Sequence, residues 1–199
     1  SGYRRLRGLK HLARAVSLDP FDQQLIETLH SRVETQRQWD QLLPILISGV
    51  EKTDDREQQA TLMRLVAEVY ASELEDYSSA ISLYQQLIEF DGGDEILERL
   101  KQLYGHLQMW RPLIDLLEER LESEFDREVR SRLLEQIGQL AEDKLGETDR
   151  AIDTFEQLRE IRPGDQGVLS RLASLYDSAA RYDELADVLR EQADVTDDV

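Results

Sequence analysis

The segment over residues 104–119 constrains this chain most, because almost the same text occurs about 71 residues earlier and 72 residues later. Its aromatic landmarks are Trp39, Trp110 and Tyr182. A fixed period of this kind predicts a stacked helical array, in which each unit contacts its neighbours and no single central core forms. Each landmark opens the same apolar pattern at helical spacing, carried by Leu42, Ile45 and Leu46, then by Leu113, Leu116 and Leu117, and then by Leu185, Val188 and Leu189.

Each period holds two slightly different helical hairpins of roughly 34 to 38 residues. Amphipathic runs and their stop signals predict about eleven helices in one array over residues 1–199. Pro44 is expected in the first turn of its helix, so that helix should start late or kink. The predicted parts are a lone second helix over 1–20, hairpins over 21–53, 54–93, 94–125, 126–164 and 165–194, and a frayed tail over 195–199.

The composition favours an almost entirely helical chain. Charged residues make up 33% and apolar residues 40%, with only 4 Pro and 10 Gly. The net charge of −18 opposes binding to a phosphate backbone, since that needs a strong basic patch. The one basic cluster is Arg4, Arg5, Arg7, Lys10 and Arg14. We therefore expect no nucleic-acid partner.

The absence of cysteine excludes disulfides and thiolate metal sites. The longest apolar run, 42–47, is far shorter than the roughly 20 residues that a membrane helix needs. We predict no membrane insertion and a cytoplasmic location. Ser1-Gly2 is interpreted as a cloning remnant, so the native N-terminus is expected to lie outside this sequence.

The hairpins resemble the tetratricopeptide repeat, in the divergent form common in bacterial arrays. The resemblance covers nearly the whole chain, although Lys101 stands where the family has a small residue, and the hairpins around Glu75 and Gly146 carry one extra residue before the turn. Second-helix positions are matched by Ala151, Phe155 and Pro163 and by Ala80 and Tyr84, and first-helix positions by Leu169, Leu172, Ala173 and Tyr176 and by Leu97, Leu100 and Tyr104.

This resemblance implies an all-α fold, a right-handed α-solenoid of tetratricopeptide-like hairpins. Small residues such as Ala67, Gly138 and Ala151 would let helices approach to about 8–10 Å. The family pattern specifies an architecture and no reaction, so function depends on the exposed residues.

Candidate chemical sites are few. His11, His30 and His106 lack the three- or four-residue spacing of a helical zinc site. Residues 91–95 lack the alternating acids and terminal Glu of a calcium loop, and no phosphate-binding glycine motif occurs. Trp39 and Trp110 recur at the repeat period, which favours core packing over base stacking. We predict no catalytic residue, metal or cofactor, and hence no enzyme activity.

In this family the concave face is lined by the first helix of each hairpin. The register predicts an acidic partner-binding face there, with Glu68, Glu98, Glu135 and Glu142 at its centre. An equal alternative is that these acids only confer solubility. The chain contains no Asn, which disfavours the carboxylate-clamp ligand of chaperone-binding relatives. The predicted set is Glu27, Glu34, Arg64, Glu68, Glu95, Glu98, Gln102, Arg132, Glu135, Gln139, Glu142 and Asp177.

The function predicted from these residues is a protein-interaction scaffold for a basic or neutral peptide or partner protein. Two alternatives stay open at this point. One is a regulatory or assembly domain appended to an enzyme in a longer chain. The other is a half-repeat array of an RNA-processing factor, which the charge opposes.

The leading helix aligns with a second helix whose first-helix partner is missing. Its apolar stripe, Leu6, Leu9, Ala13 and Val16, is expected to be only partly covered by the second helix of the chain. That would make the helix fray or associate with another copy, as expected of an array cut from a longer one. The alternative is that the helix folds back and needs no partner.

Overall fold

The computed structural model describes residues 2–33, 35–91 and 93–197, which fold into eleven α-helices. The chain forms two compact units, residues 1–103 and 104–199. The first six helices are α1 (Gly2–Leu18), α2 (Gln23–Arg32), α3 (Gln36–Lys52), α4 (Arg56–Glu68), α5 (Tyr77–Asp91) and α6 (Asp94–His106). The other five are α7 (Trp110–Ser123), α8 (Arg127–Leu140), α9 (Thr148–Ile161), α10 (Gln166–Ser178) and α11 (Tyr182–Asp197). The all-helical fold of hairpins is thereby confirmed.

Four first helices begin at an aspartate that caps them. The carboxylates of Asp22, Asp55, Asp126 and Asp165 accept hydrogen bonds from backbone N–H groups in the first turns of α2, α4, α8 and α10. Such bonds satisfy donors that a helix start would otherwise leave unpaired. The predicted cap at Asp22 is confirmed, and the same device recurs at the start of the later hairpins.

In the first unit, α1 packs on both α2 and α3. Leu9, Ala13 and Val16 are buried in one cluster with α2, α3 and α4. The helices approach so closely that a Cβ on Gly49 would lie 2.7 Å from the Cβ of Ser17. The expectation that α2 alone would cover this stripe is wrong, because α3 supplies most of the cover. The physical reason for a sticky N-terminal helix is thereby removed.

In the second unit, α8 packs on α7 and α9, and α10 packs on α9 and α11. The buried side chains come from the apolar faces that the repeat pattern marks, such as Leu117 and Leu134. At the α8–α9 crossing, a Cβ on Gly138 would lie 2.7 Å from the ring of Phe155. Glycine is therefore the residue that permits this close approach, as its small size suggested.

The two longer hairpins absorb their extra residue in a π-helical turn. Val69–Glu73 follows α4, and Ala141–Leu145 follows α8. A π turn is the usual result of inserting one residue in an α-helix. Each is followed by a left-handed residue, Glu75 at φ 54° and Gly146 at φ 65°.

Pro44 departs from the prediction. Because α3 begins at Gln36, Pro44 lies inside the helix and not in its first turn. The late start that we expected is wrong. Pro44 is exposed, so the missing backbone donor lies on the solvent side of the helix.

Among the described residues, no helix combines the length and apolarity that crossing a bilayer requires.

Candidate functional site

The predicted site residues lie on the first helices and on the π turn that follows α8. Glu34 lies outside the described residues. Arg64, Glu68, Glu135 and Glu142 are half-buried. The fully exposed members are Glu27, Glu95, Glu98, Gln102, Arg132, Gln139 and Asp177. The set therefore divides into side chains held in local networks and side chains open to solvent.

Glu68 is the centre of one network in the first unit. The buried Tyr84 hydroxyl on α5 donates a 2.9 Å hydrogen bond to Glu68 Oε2, and the Ser72 hydroxyl donates one of 2.9 Å to Oε1. Arg99 Nη2 on α6 lies 3.5 Å from the same Oε1. Burial, and then the nearby carboxylate of Glu68, raise the pKa of the Tyr84 hydroxyl well above its ordinary value. Glu68 is thus fixed in place and its charge is largely compensated.

Two further predicted glutamates are paired in the second unit. Glu142 Oε2 lies 2.8 Å from Arg171 Nε on α10, and Asp143 Oδ2 lies 3.4 Å from Arg171 Nη2. Glu135 Oε2 lies 3.3 Å from Arg162 Nη1, just after α9. These pairs link α8 and its π turn to the following helices. Their carboxylates contribute to the stacking of hairpins as well as to surface charge.

Glu98 forms a local pair as well, since its Oε1 accepts a 2.8 Å hydrogen bond from Lys101 Nζ. The two residues are three apart on α6 and Glu98 is exposed, so this pair contributes little stability. The exposed acids Glu27, Glu95 and Asp177 therefore carry most of the accessible negative charge of the predicted set.

Sequence reasoning missed the partners of these glutamates. Arg99, Arg162 and Arg171 follow Glu68, Glu135 and Glu142 by 31, 27 and 29 residues. Because these intervals differ, no fixed spacing marked the pairs. The Tyr84 hydroxyl was also invisible to the repeat pattern, since its counterpart in the next period is Phe155.

The histidines have structural surroundings. His30 stacks against the buried Trp39 with ring centroids 4.9 Å apart, and its Nδ1 lies 3.8 Å from Glu73 Oε1. His11 and His106 are exposed. Within the described ranges, no three histidine or carboxylate side chains come together in a way that could hold a metal ion. The burial of Trp39 confirms that this tryptophan belongs to the core.

A comparison with protein families is decisive for the type of repeat. Residues 168–199, which contain most of α10 and all of α11, match the family model described as Tetratricopeptide repeat. The chain is a tetratricopeptide-like repeat protein. No curated protein matches the sequence.

Solved structures of MamA have some similarity to this tetratricopeptide-like chain. One, from AMB-1, has a TM-score of 0.48 and 14% sequence identity, covering 100% of this chain and 95% of its own. Another, described as the crystal structure of MamA, has a TM-score of 0.46 and 16% identity, with coverage of 82% and 91%. At these scores the likeness supports no statement about partners.

The coarse function follows from the repeat type. Tetratricopeptide-like arrays suggest protein–protein interaction scaffolds, and such scaffolds are generally non-enzymatic. The fold offers helix surfaces for binding, on which the exposed side chains determine the partner.

Proposed function

We propose that this chain is a non-enzymatic scaffold that binds a basic or neutral peptide segment, or a partner protein presenting one. The binding residues are the exposed polar side chains of the first helices, with Glu27, Glu95 and Asp177 as the main charges. The remaining residues of the predicted set act as a polar surround: Glu34, Arg64, Glu68, Glu98, Gln102, Arg132, Glu135, Gln139 and Glu142.

The observation that carries this proposal is the division of labour among the first-helix acids. Glu68, Glu135 and Glu142 are tied to arginines of following elements, whereas Glu27, Glu95 and Asp177 are exposed on helices that those ties help to fix. A surface whose charges are held in place before binding costs little ordering on association.

The net charge supports the same partner chemistry. A chain with a net charge of −18 attracts cationic segments and repels phosphate backbones, and both effects weaken as salt rises. We accordingly propose a protein partner and no nucleic acid. The cytoplasmic location and the right-handed superhelix stay predictions.

The test uses two variants of equal charge. The first carries Glu27→Gln, Glu95→Gln and Asp177→Asn. The matched control carries Glu119→Gln, Asp153→Asn and Glu160→Gln, which are exposed acids on the second helices α7 and α9. Both variants are compared with the parent on an array of 15-residue peptides graded from neutral to lysine-rich, at low and high salt.

The first variant should lose peptide binding while the control retains it, and binding to the parent should decrease with salt. If both variants lose binding equally, only net charge acts and the first-helix surface is not a site. Unchanged circular dichroism of both variants shows that the fold is intact.

A further inference from the structure

The apolar face that recurs three times in the sequence is covered in its first two copies and open in the third. Tyr182 is 65% exposed and Leu189 is 49% exposed, both on α11. Their counterparts are buried: Trp39 is 2% exposed and Leu46 0% on α3, and Leu117 is 1% exposed on α7. We call Tyr182, Ala186, Leu189 and Ala193 the α11 stripe, since their spacing puts them along one line of the helix.

The covered copies show what kind of element lies on this face. α4 packs on α3, and α8 packs on α7. Each covering helix is the first helix of the next hairpin, with an apolar face that contains Leu62 and Val66 in α4, or Leu133 and Leu134 in α8. The open face of α11 has the same apolar pattern, so it suits an amphipathic helix of the same kind.

A repeated hydrogen bond adds a polar anchor to this apolar contact. Gln59 Nε2 on α4 donates a 3.2 Å hydrogen bond to the Val50 carbonyl near the end of α3. The equivalent residue on α8, Arg130, donates one of 2.8 Å from Nη1 to the Leu121 carbonyl at the end of α7. The same position on α11 is the carbonyl of Ala193. A covering helix with Arg or Gln at this register would reach it.

The charges beside the stripe define the flanks of the covering helix. Asp183, Asp187 and Asp194 are exposed along one side of α11, and Arg190 Nη1 donates a 2.6 Å hydrogen bond to Asp187. A helix that places Lys or Arg opposite Asp183 and Asp194 would gain favourable contacts there.

We propose that the α11 stripe is the docking site for an amphipathic helix of a partner protein, with an apolar face, basic flanks and an Arg or Gln at the Ala193 register. A second copy of this chain is a poor occupant. A symmetric α11–α11 contact would bring the two rows of aspartate together, and the first helices that have the right pattern already pack within their own units.

The probe is a helical peptide with the sequence of residues 126–145, which covers α7 in the chain itself. A hydrocarbon staple replaces the exposed Arg132 and Gln136, and circular dichroism verifies that the peptide is helical. A second probe adds Glu128→Lys and Glu135→Lys, and a scrambled stapled peptide is the control. Binding to the full chain is measured by fluorescence anisotropy.

Both probes should bind, the basic one more tightly and with a stronger salt dependence. Leu189→Asp should weaken binding about tenfold or more, and Tyr182→Ala should weaken it less. Phe125→Ser is the control, since Phe125 is 93% exposed but lies away from α11, and it should bind as the parent does. The first-helix variant described above should also bind normally, which separates this surface from the proposed function.

A second measurement does not depend on a disruptive substitution. Because the chain has no cysteine, Leu189→Cys introduces a single thiol, and saturating probe should slow its alkylation. Failure of the helical probes to bind, or binding that ignores Leu189→Asp, overturns the proposal. Self-association of the chain that Leu189→Asp abolishes would assign the stripe to a second copy and also overturns it.

Discussion

Arg56 Nη2, at the start of α4, donates a 3.0 Å hydrogen bond to the Phe90 carbonyl near the end of α5. Its guanidinium also lies over the Phe90 ring, 4.5 Å from the centroid. One period later Arg127 donates the same bond to the Ile161 carbonyl. An arginine at the start of each longer hairpin thus satisfies a free carbonyl at its end, where the helix dipole favours positive charge.

Arg56→Ala should therefore destabilise the chain by about 0.5–1 kcal/mol, since an exposed charged hydrogen bond and a cation–π contact are lost. Urea unfolding followed by circular dichroism measures the change. Arg37→Ala, at an exposed position of α3, serves as the control and should change stability little. Equal losses for both variants would show that the Phe90 contact is not the cause.

Gly138→Ala should destabilise the chain by about 1–3 kcal/mol, because the new methyl group would overlap the buried Phe155 ring. This outcome opposes helix propensity, which by itself favours Ala over Gly by about 1 kcal/mol. Gly8→Ala is the matched control, since its Cβ would meet no atom within 4 Å. Gly8→Ala should be neutral or stabilising, and a stabilising Gly138→Ala would contradict the close α8–α9 approach.

Glu75→Gly should stabilise the chain by about 0.5–1 kcal/mol. Glu75 adopts a left-handed conformation at φ 54°, which strains a residue that has a Cβ. Its counterpart one period later is Gly146, in the same region at φ 65°. Gly146→Ala should shift stability in the opposite direction by a similar amount. Thermal unfolding of both variants tests the pair, and shifts of the same sign would contradict the argument.

Asp76 should contribute to stability only above its unfolded pKa. Hydrogen bonds from the Ser79 hydroxyl, then from the Ser78 hydroxyl and the Ser79 N–H, lower the pKa of its carboxyl below the ordinary 3.8. A group whose folded pKa is lowered gives stability that is lost as pH falls through that pKa. Asp76→Ala should cost about 1 kcal/mol at pH 7, and much less at pH 2. Urea titrations at both values measure this, and a constant difference would exclude the mechanism.

Removal of α1, in a chain that begins at Asp19, should cost about 3–6 kcal/mol, because Leu9 and Val16 are fully buried. Chemical unfolding measures the loss. A milder variant, Gly49→Ala, should also destabilise by forcing α1 and α3 apart at Ser17. If deletion of α1 leaves stability unchanged, the helix does not belong to the core of its unit.

The sequence determined the helices because their signals are local. Apolar residues at helical spacing marked each buried face, Asp22 marked a helix start, and the 71- to 72-residue period linked Trp39 to Trp110 and Tyr182. The extra residue near Glu75 and Gly146 was also visible in the sequence, although its form as a π turn was not.

Tertiary structure alone decided which side chains meet. The pairing of Glu142 with Arg171, and the Tyr84 hydroxyl bound to Glu68, depend on how neighbouring helices stack, and no fixed interval in the chain encodes that. The α1 stripe is buried because α3 reaches it, and Leu189 is exposed although its repeat counterpart Leu117 is not. A repeat pattern specifies that a face is apolar, whereas burial depends on whether another element lies on it.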